Sequence, residues 1–100
     1  MTIRFLEPAA AELAEAIARY NAETDGLGYE FAVEVQATLG RITRFPEAWS
    51  MLSARTRRCR TRRFPYAVIY QVQENGIILV AIMHLRRHPD SWRGRTASQP

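Results

Sequence analysis

Apolar residues first alternate with polar ones, then recur every three to four positions, and finally crowd into two nearly continuous runs. "TIRFL", at Thr2–Leu6, alternates Ile3 and Phe5 and predicts a short strand. Pro8 follows as a first helical residue, because its fixed φ suits a helix N-terminus. Ala10, Leu13, Ile17 and Tyr20 then form one apolar stripe, with Glu15 and Arg19 as an i,i+4 ion pair off it. "DGLG", at Asp25–Gly28, breaks that helix. A second one carries Phe31, Val35, Leu39, Ile42 and Phe45 on one face and stops at Phe45–Pro46. So short a link makes the two helices antiparallel neighbours.

"EAWSMLSA" reads as a loop, with Trp49 plugging the end of the core. Three strands follow, over residues 57–64, 66–73 and 77–84, and Asn75–Gly76 between the last two signals a hairpin. "YAVIYQV" and "IILVAIMH" are apolar at almost every position, as central strands covered on both faces must be. The helix hairpin covers one face; the C-terminal segment or a partner covers the other. "RGRTASQP", residues 93–100, reads as a flexible tail. The expected fold is α+β, in the order β-α-α-β-β-β. An antiparallel helix hairpin packs on a small, mainly antiparallel sheet in one domain over residues 1–92.

Composition narrows the setting. The chain has 100 residues, 47% of them hydrophobic, with a formal charge of +4 and a pI near 10.0. All fourteen basic residues are arginine. Arginine suits bidentate recognition of phosphate or carboxylate, although genome composition alone can favour it over lysine. A single cysteine, Cys59, excludes an intramolecular disulfide and a cysteine-based zinc cluster. The longest apolar run, Ile77–Met83, is far below the ~20 residues of a membrane helix. No secretory signal opens the chain. The expectation is a soluble cytoplasmic protein with no membrane contact.

Two stretches carry candidate chemistry. "RTRRCRTRR" places six arginines in nine positions, Arg55–Arg63. On a strand, Arg58, Arg60 and Arg62 share one face, and Cys59, Thr61 and Arg63 share the other. Guanidinium groups ~7 Å apart, twice the strand rise, can track an anionic partner. The competing role is an edge strand blunted by charge. The second stretch is "HLRRHPDSW", at the end of a central strand. Arg86 and Arg87 cannot both point into a core and are binding candidates. Trp92 is expected to pack on the sheet's open face and is also a binding candidate. His84 and His88 have only Asp90 as a nearby carboxylate, so neither a metal site nor a cofactor is expected. Phosphate-cradling glycine loops, nucleophile elbows and zinc signatures are absent.

With "AAAELAEAIARY", "FPEAW", "RRFPYAVIYQV" and "HLRRHPDSW" in this order, residues 1–92 resemble the RelE/ParE family of toxins from bacterial type II toxin–antitoxin modules. Many relatives are plasmid-stabilisation proteins. The resemblance implies a growth-inhibiting toxin neutralised by a cognate antitoxin, with any DNA contact made through the antitoxin complex. RelE-like members are metal-independent endonucleases that cut mRNA on the ribosome. In that reading Arg58, Arg60 and Arg87 match catalytic basic positions, Arg62 a further basic one, and His84 is the candidate proton carrier. ParE-like members share the scaffold and act on DNA gyrase. Ala67 stands where RelE-like chains carry arginine, and Trp92 or Arg93 where they carry tyrosine. His84 and Arg86 resemble the "LHxR" of ParE-like chains, with His88 in place of their aspartate. The ranked expectations are therefore a gyrase toxin, then a ribosome-dependent ribonuclease, then a non-toxic antitoxin-binding module.

Overall fold

Pro8 lies in the first turn of an α-helix in the computed structural model, which describes residues 2–95. Strand β1 (Thr2–Phe5) leads into α1 (Glu7–Glu23) and α2 (Leu27–Arg44), followed by β2 (Ser50–Met51), β3 (Thr56–Arg60), β4 (Tyr66–Gln73) and β5 (Gly76–His84). The sheet order is β1-β5-β4-β3-β2, with only the β1–β5 pair parallel. The expected fold class holds, and the two apolar runs are indeed the inner strands. β2 is an addition: a two-residue strand inside the segment expected to be loop, too short to leave a periodic signal.

The helix hairpin closes tightly because Gly28 lets α2 approach α1. A Cβ on Gly28 would lie 2.3 Å from the Ile17 carbonyl oxygen, and its N–H donates to Asn21 Oδ1 at 2.8 Å. Gly26, at φ 85°, turns the chain between the helices. Gly76 has a different job from the one its Asn-Gly pair suggests. The hairpin loop is Glu74–Asn75, and Gly76 is already in β5, where a Cβ would strike the Thr2 carbonyl oxygen at 2.3 Å. Glycine is needed there for the close approach of β1.

The core has two layers. On the helix side, Ala9, Ala16, Phe31, Val35 and Ile42 pack on Cys59, Tyr66, Val68, Tyr70, Ile77, Leu79 and Ile82. Burying each large side chain contributes roughly 1.5–3 kcal/mol against the loss of chain entropy. On the opposite face, Ala67, Ile69, Val80, Ala81 and Met83 cluster with Trp92, with Leu6, Leu52 and Leu85 at the rim. A bulge between Ile69/Tyr70 and Ala81/Leu79 puts the consecutive Val80 and Ala81 on this second face. The C-terminal segment thus supplies the second cover. Of the expected tail, Arg95 is clamped, donating to Glu12 Oε2 at 2.7 Å and to the Val80 carbonyl at 2.9 Å. Residues 96–100 lie outside the described residues.

Candidate functional site

β3 ends at Arg60, four residues short of the expected strand, because Thr61 closes a turn: its hydroxyl donates to the Phe64 and Tyr66 carbonyls, and its N–H to Tyr66. Arg62 and Arg63 therefore leave the strand. The alternation holds for Arg58 and Arg60, which are opposite Ile69 and Ala67 on the second face. It holds equally for Cys59 and Thr61, which are buried. Arg62 is held otherwise. Its backbone N–H is engaged by Glu34 Oε2, and Arg62 lines a recess beside β3 together with Arg58 and Arg60. Arg63 pairs with Glu30 at 2.9 Å and covers the Phe64 ring.

This recess, of about 380 Å³, opens beside β3 and is lined by Arg41, Trp49, Ser50, Arg58, Arg60 and Arg62 among others. Sequence periodicity missed Arg41 as a lining residue, whereas Trp49 packs against the helix-side core, as expected of it, and borders the recess as well. Arg41 stands in the last turn of α2, where a cation complements the helix dipole. Its guanidinium donates to Thr38 Oγ1 and to the Arg60 carbonyl, both at 3.1 Å, so it is held in place. Arg57, on the helix side of β3, is spent on structure, donating to the Glu47 and Trp49 carbonyls. It thereby fixes the Trp49 segment against the strand. Among the described residues, none of Arg41, Arg58, Arg60 and Arg62 forms a salt bridge. Beneath the recess, burial pushes the Cys59 thiol above its usual pKa, although Arg41 pulls the other way.

His84 and Arg87 are elsewhere. They line a smaller recess of about 120 Å³ with Glu12, Glu15, Arg19, Tyr66 and Ile82. Arg87 is paired there with Glu12 at 3.4 Å, and Arg19 donates to the neutral Tyr66 hydroxyl. His84 packs edge-on against Tyr66, and its Nδ1 accepts the Arg86 N–H at 3.0 Å. When neutral, that ring carries its proton on Nε2. His88 Nδ1 likewise accepts from the Asp90 N–H, and Arg86 is exposed.

Trp92 does not stand at a binding surface: it is 3% exposed and closes the second-face core, with Arg93 stacked over it at 4.6 Å. An amphipathic indole stabilises more by filling that gap than by facing water. The expected set is thus divided. Arg58, Arg60 and Arg62 are together, His84 and Arg87 are together in another place, Arg86 is on the surface and Trp92 is in the core. No cluster of three or more metal-ligating side chains occurs among the described residues. No described helix is long and apolar enough to cross a membrane.

A helix hairpin on a five-stranded mixed sheet, with a group of arginines beside β3 that form no salt bridge among the described residues, defines a small basic α+β domain. The profile of the ParE toxin of the type II toxin–antitoxin system parDE matches residues 3–89, and the chain belongs to this family. Its fold is similar to that of a chain in the solved structure of the chromosomal ParDE TA system from P. aeruginosa. The TM-score is 0.73 at 14% identity, over 84% of this chain and 95% of that one. A search of curated proteins returned no match.

Proposed function

We propose that this ParE-family toxin acts on DNA gyrase and is neutralised by a cognate antitoxin, both partners placing it in the cytoplasm. The observation that carries the reading is the separation of the basic residues. Cleaving a phosphodiester requires charge stabilisation and proton transfer at one phosphate. Arg58 and Arg60 line one recess, His84 and Arg87 line another, and the two share no residue. Glu12 further neutralises Arg87. Ala67, opposite Arg60, is 1% exposed and offers no cation to complete a nuclease set. What remains is a basic surface, held in part by the bonds of Arg41, which suits binding to an acidic partner. Similarity to a chain of a ParDE toxin–antitoxin system supports the antitoxin partner.

The purified chain is incubated with gyrase, ATP and supercoiled DNA, and separately with mRNA-programmed ribosomes. Protein-linked DNA breaks with intact mRNA are expected. Cut mRNA with unaffected gyrase would replace this reading with the ribonuclease. Inactivity in both assays, with an antitoxin still bound, would leave a non-toxic binding module.

A further inference from the structure

An ordinary surface helix turns charged residues away from the core, and the helix hairpin departs from that pattern. Opposite the sheet, α1 presents Ala14, Ala18 and Ala22, and α2 presents Tyr29, Val33 and Gly40, all of them exposed. Tyr29 is 71% and Val33 46% exposed, so two large apolar side chains stand in water beside a bed of methyl groups. The chain is 24% charged, yet the charges of these helices lie on the flanks. Glu12, Glu15 and Arg19 line the small recess on the β5 side. Glu30 and Glu34 engage Arg63 and the Arg62 N–H, and Arg41 donates to the Arg60 carbonyl. The outer face is charged only at one end, where Glu7 opens α1 and Arg44 closes α2. Neither forms a salt bridge among the described residues. Helix propensity accounts for the alanines of α1. It does not account for Tyr29, Val33 and Gly40, which are poorer helix formers. Single exposed apolar residues are ordinary, whereas a contiguous uncharged plate marks a contact surface.

We infer that this plate joins two copies of the chain about a two-fold axis running along the hairpin, with α1 of each copy on α2 of the other. The occupant follows from the plate's complementarity to itself. Such an axis sets each α1 antiparallel to the α2 beneath it, so opposite ends of the helix dipoles meet. Gly28 is level with the Ile17–Asn21 turn of α1, and this fixes the register. Counting along the helices, Tyr29 lies over the partner's Ala18 and Val33 over the partner's Ala14. Gly40 lies beneath the partner's Glu7, one turn from Arg44. Large side chains thus meet small ones, and each Glu7 meets an arginine, twice by symmetry. Two helices of 17 and 18 residues, about 26 Å long and 10 Å wide each, present roughly 500 Å² per copy. A standard stable interface takes about 800 Å² per partner, so this dimer forms reversibly with concentration. The arginine recess, on the β3 flank of α2, stays open in it.

The test is sedimentation equilibrium of the full chain over about a hundredfold range of concentration. The mass is expected to climb from monomer toward dimer. Val33→Arg and Ala18→Arg should each weaken the dimer by more than about tenfold, because either buries a charge at the centre of the plate. Both positions are exposed, and each new arginine follows a glutamate by three residues, Glu30 or Glu15, so the monomer should keep its Tm. Glu7→Arg should weaken the dimer about fivefold, as the loss of two exposed ion pairs implies. Adding Arg44→Glu should restore it.

A chain that stays monomeric at every concentration overturns the proposal; if Val33→Arg then weakens antitoxin binding, the plate belongs to the antitoxin. A dimer indifferent to both arginine variants also overturns it and places the contact elsewhere, the open edge of β1 first. Failure of the double charge reversal to restore the dimer overturns the two-fold register. Gyrase trapping is measured separately and stands or falls without the dimer.

Discussion

Tyr70 is fully buried, yet its hydroxyl is satisfied, donating to the Pro46 carbonyl at 2.6 Å. Burial pushes its pKa up to about 12, against an ordinary value of 10.0. The folded state therefore holds this proton more tightly than the unfolded one. The stability so gained is fully present below about pH 10 and is lost as pH rises toward 12. Denaturant melts at neutral pH and near pH 11 should show that alkaline loss in the native chain. Tyr70→Phe should cost about 1 kcal/mol at neutral pH, one hydrogen bond, and should flatten the decline above about pH 10. A variant that still destabilises steeply there would place the titrating group elsewhere. In the sequence Tyr70 reads only as one apolar position of a strand. Its partner lies 24 residues upstream at the helix stop, a pairing no local pattern encodes. Arg41 was illegible for the same reason: its place in the recess depends on the meeting of α2 and β3.

β4 was legible to the residue, because eight positions of strand-forming side chains end at a turn signal. Helix α2 was nearly so, since its stripe at three and four spacing is long. What escaped was set by contact between elements. β2 exists only because β3 offers it two partners, Arg57 and Arg58, and the bulge at Val80 breaks strict alternation inside an all-apolar run. Glycines show the difference most sharply. Gly28 and Gly40 are both in α2, and helix propensity treats them alike. At Gly40 an added Cβ meets nothing within 4 Å, whereas at Gly28 it meets α1 backbone. Gly40→Ala should thus stabilise by about 0.5–1 kcal/mol. Gly28→Ala should destabilise by about 2–3 kcal/mol, forcing the helices apart and lowering Tm by more than about 10 °C. Calorimetry of the two variants checks the sign. Equal shifts would mean that the helix hairpin is looser than its packing indicates.

At the scale of the whole molecule, β1 pairs β5 only as far as Leu79, which leaves the next part of that sheet edge without a strand. Side chains stand in for it. Glu12 Oε1 accepts the Ile82 N–H at 3.0 Å, and Arg95 donates to the Val80 carbonyl at 2.9 Å while gripping Glu12. The bond with Glu12 raises the Arg95 pKa, so this cation stays charged at any working pH. One short C-terminal segment thereby does two things: Trp92 closes the second face and Arg95 seals the exposed edge. Buried or half-buried backbone groups left without partners are costly, and an open edge invites pairing with another chain. Arg95→Ala removes the donor to Val80 and leaves Glu12 with the Ile82 N–H and the longer Arg87 contact. It should cost about 2 kcal/mol and speed hydrogen exchange at the Ile82 amide, with a growing tendency to self-associate. Arg93→Ala breaks the exposed Arg93–Asp90 pair and the stacking of Arg93 on Trp92 but touches neither Glu12 nor Val80, and should leave exchange at the Ile82 amide unchanged. If the two variants behave alike, the segment is held by Trp92 packing alone, and the edge of β5 is protected without Arg95.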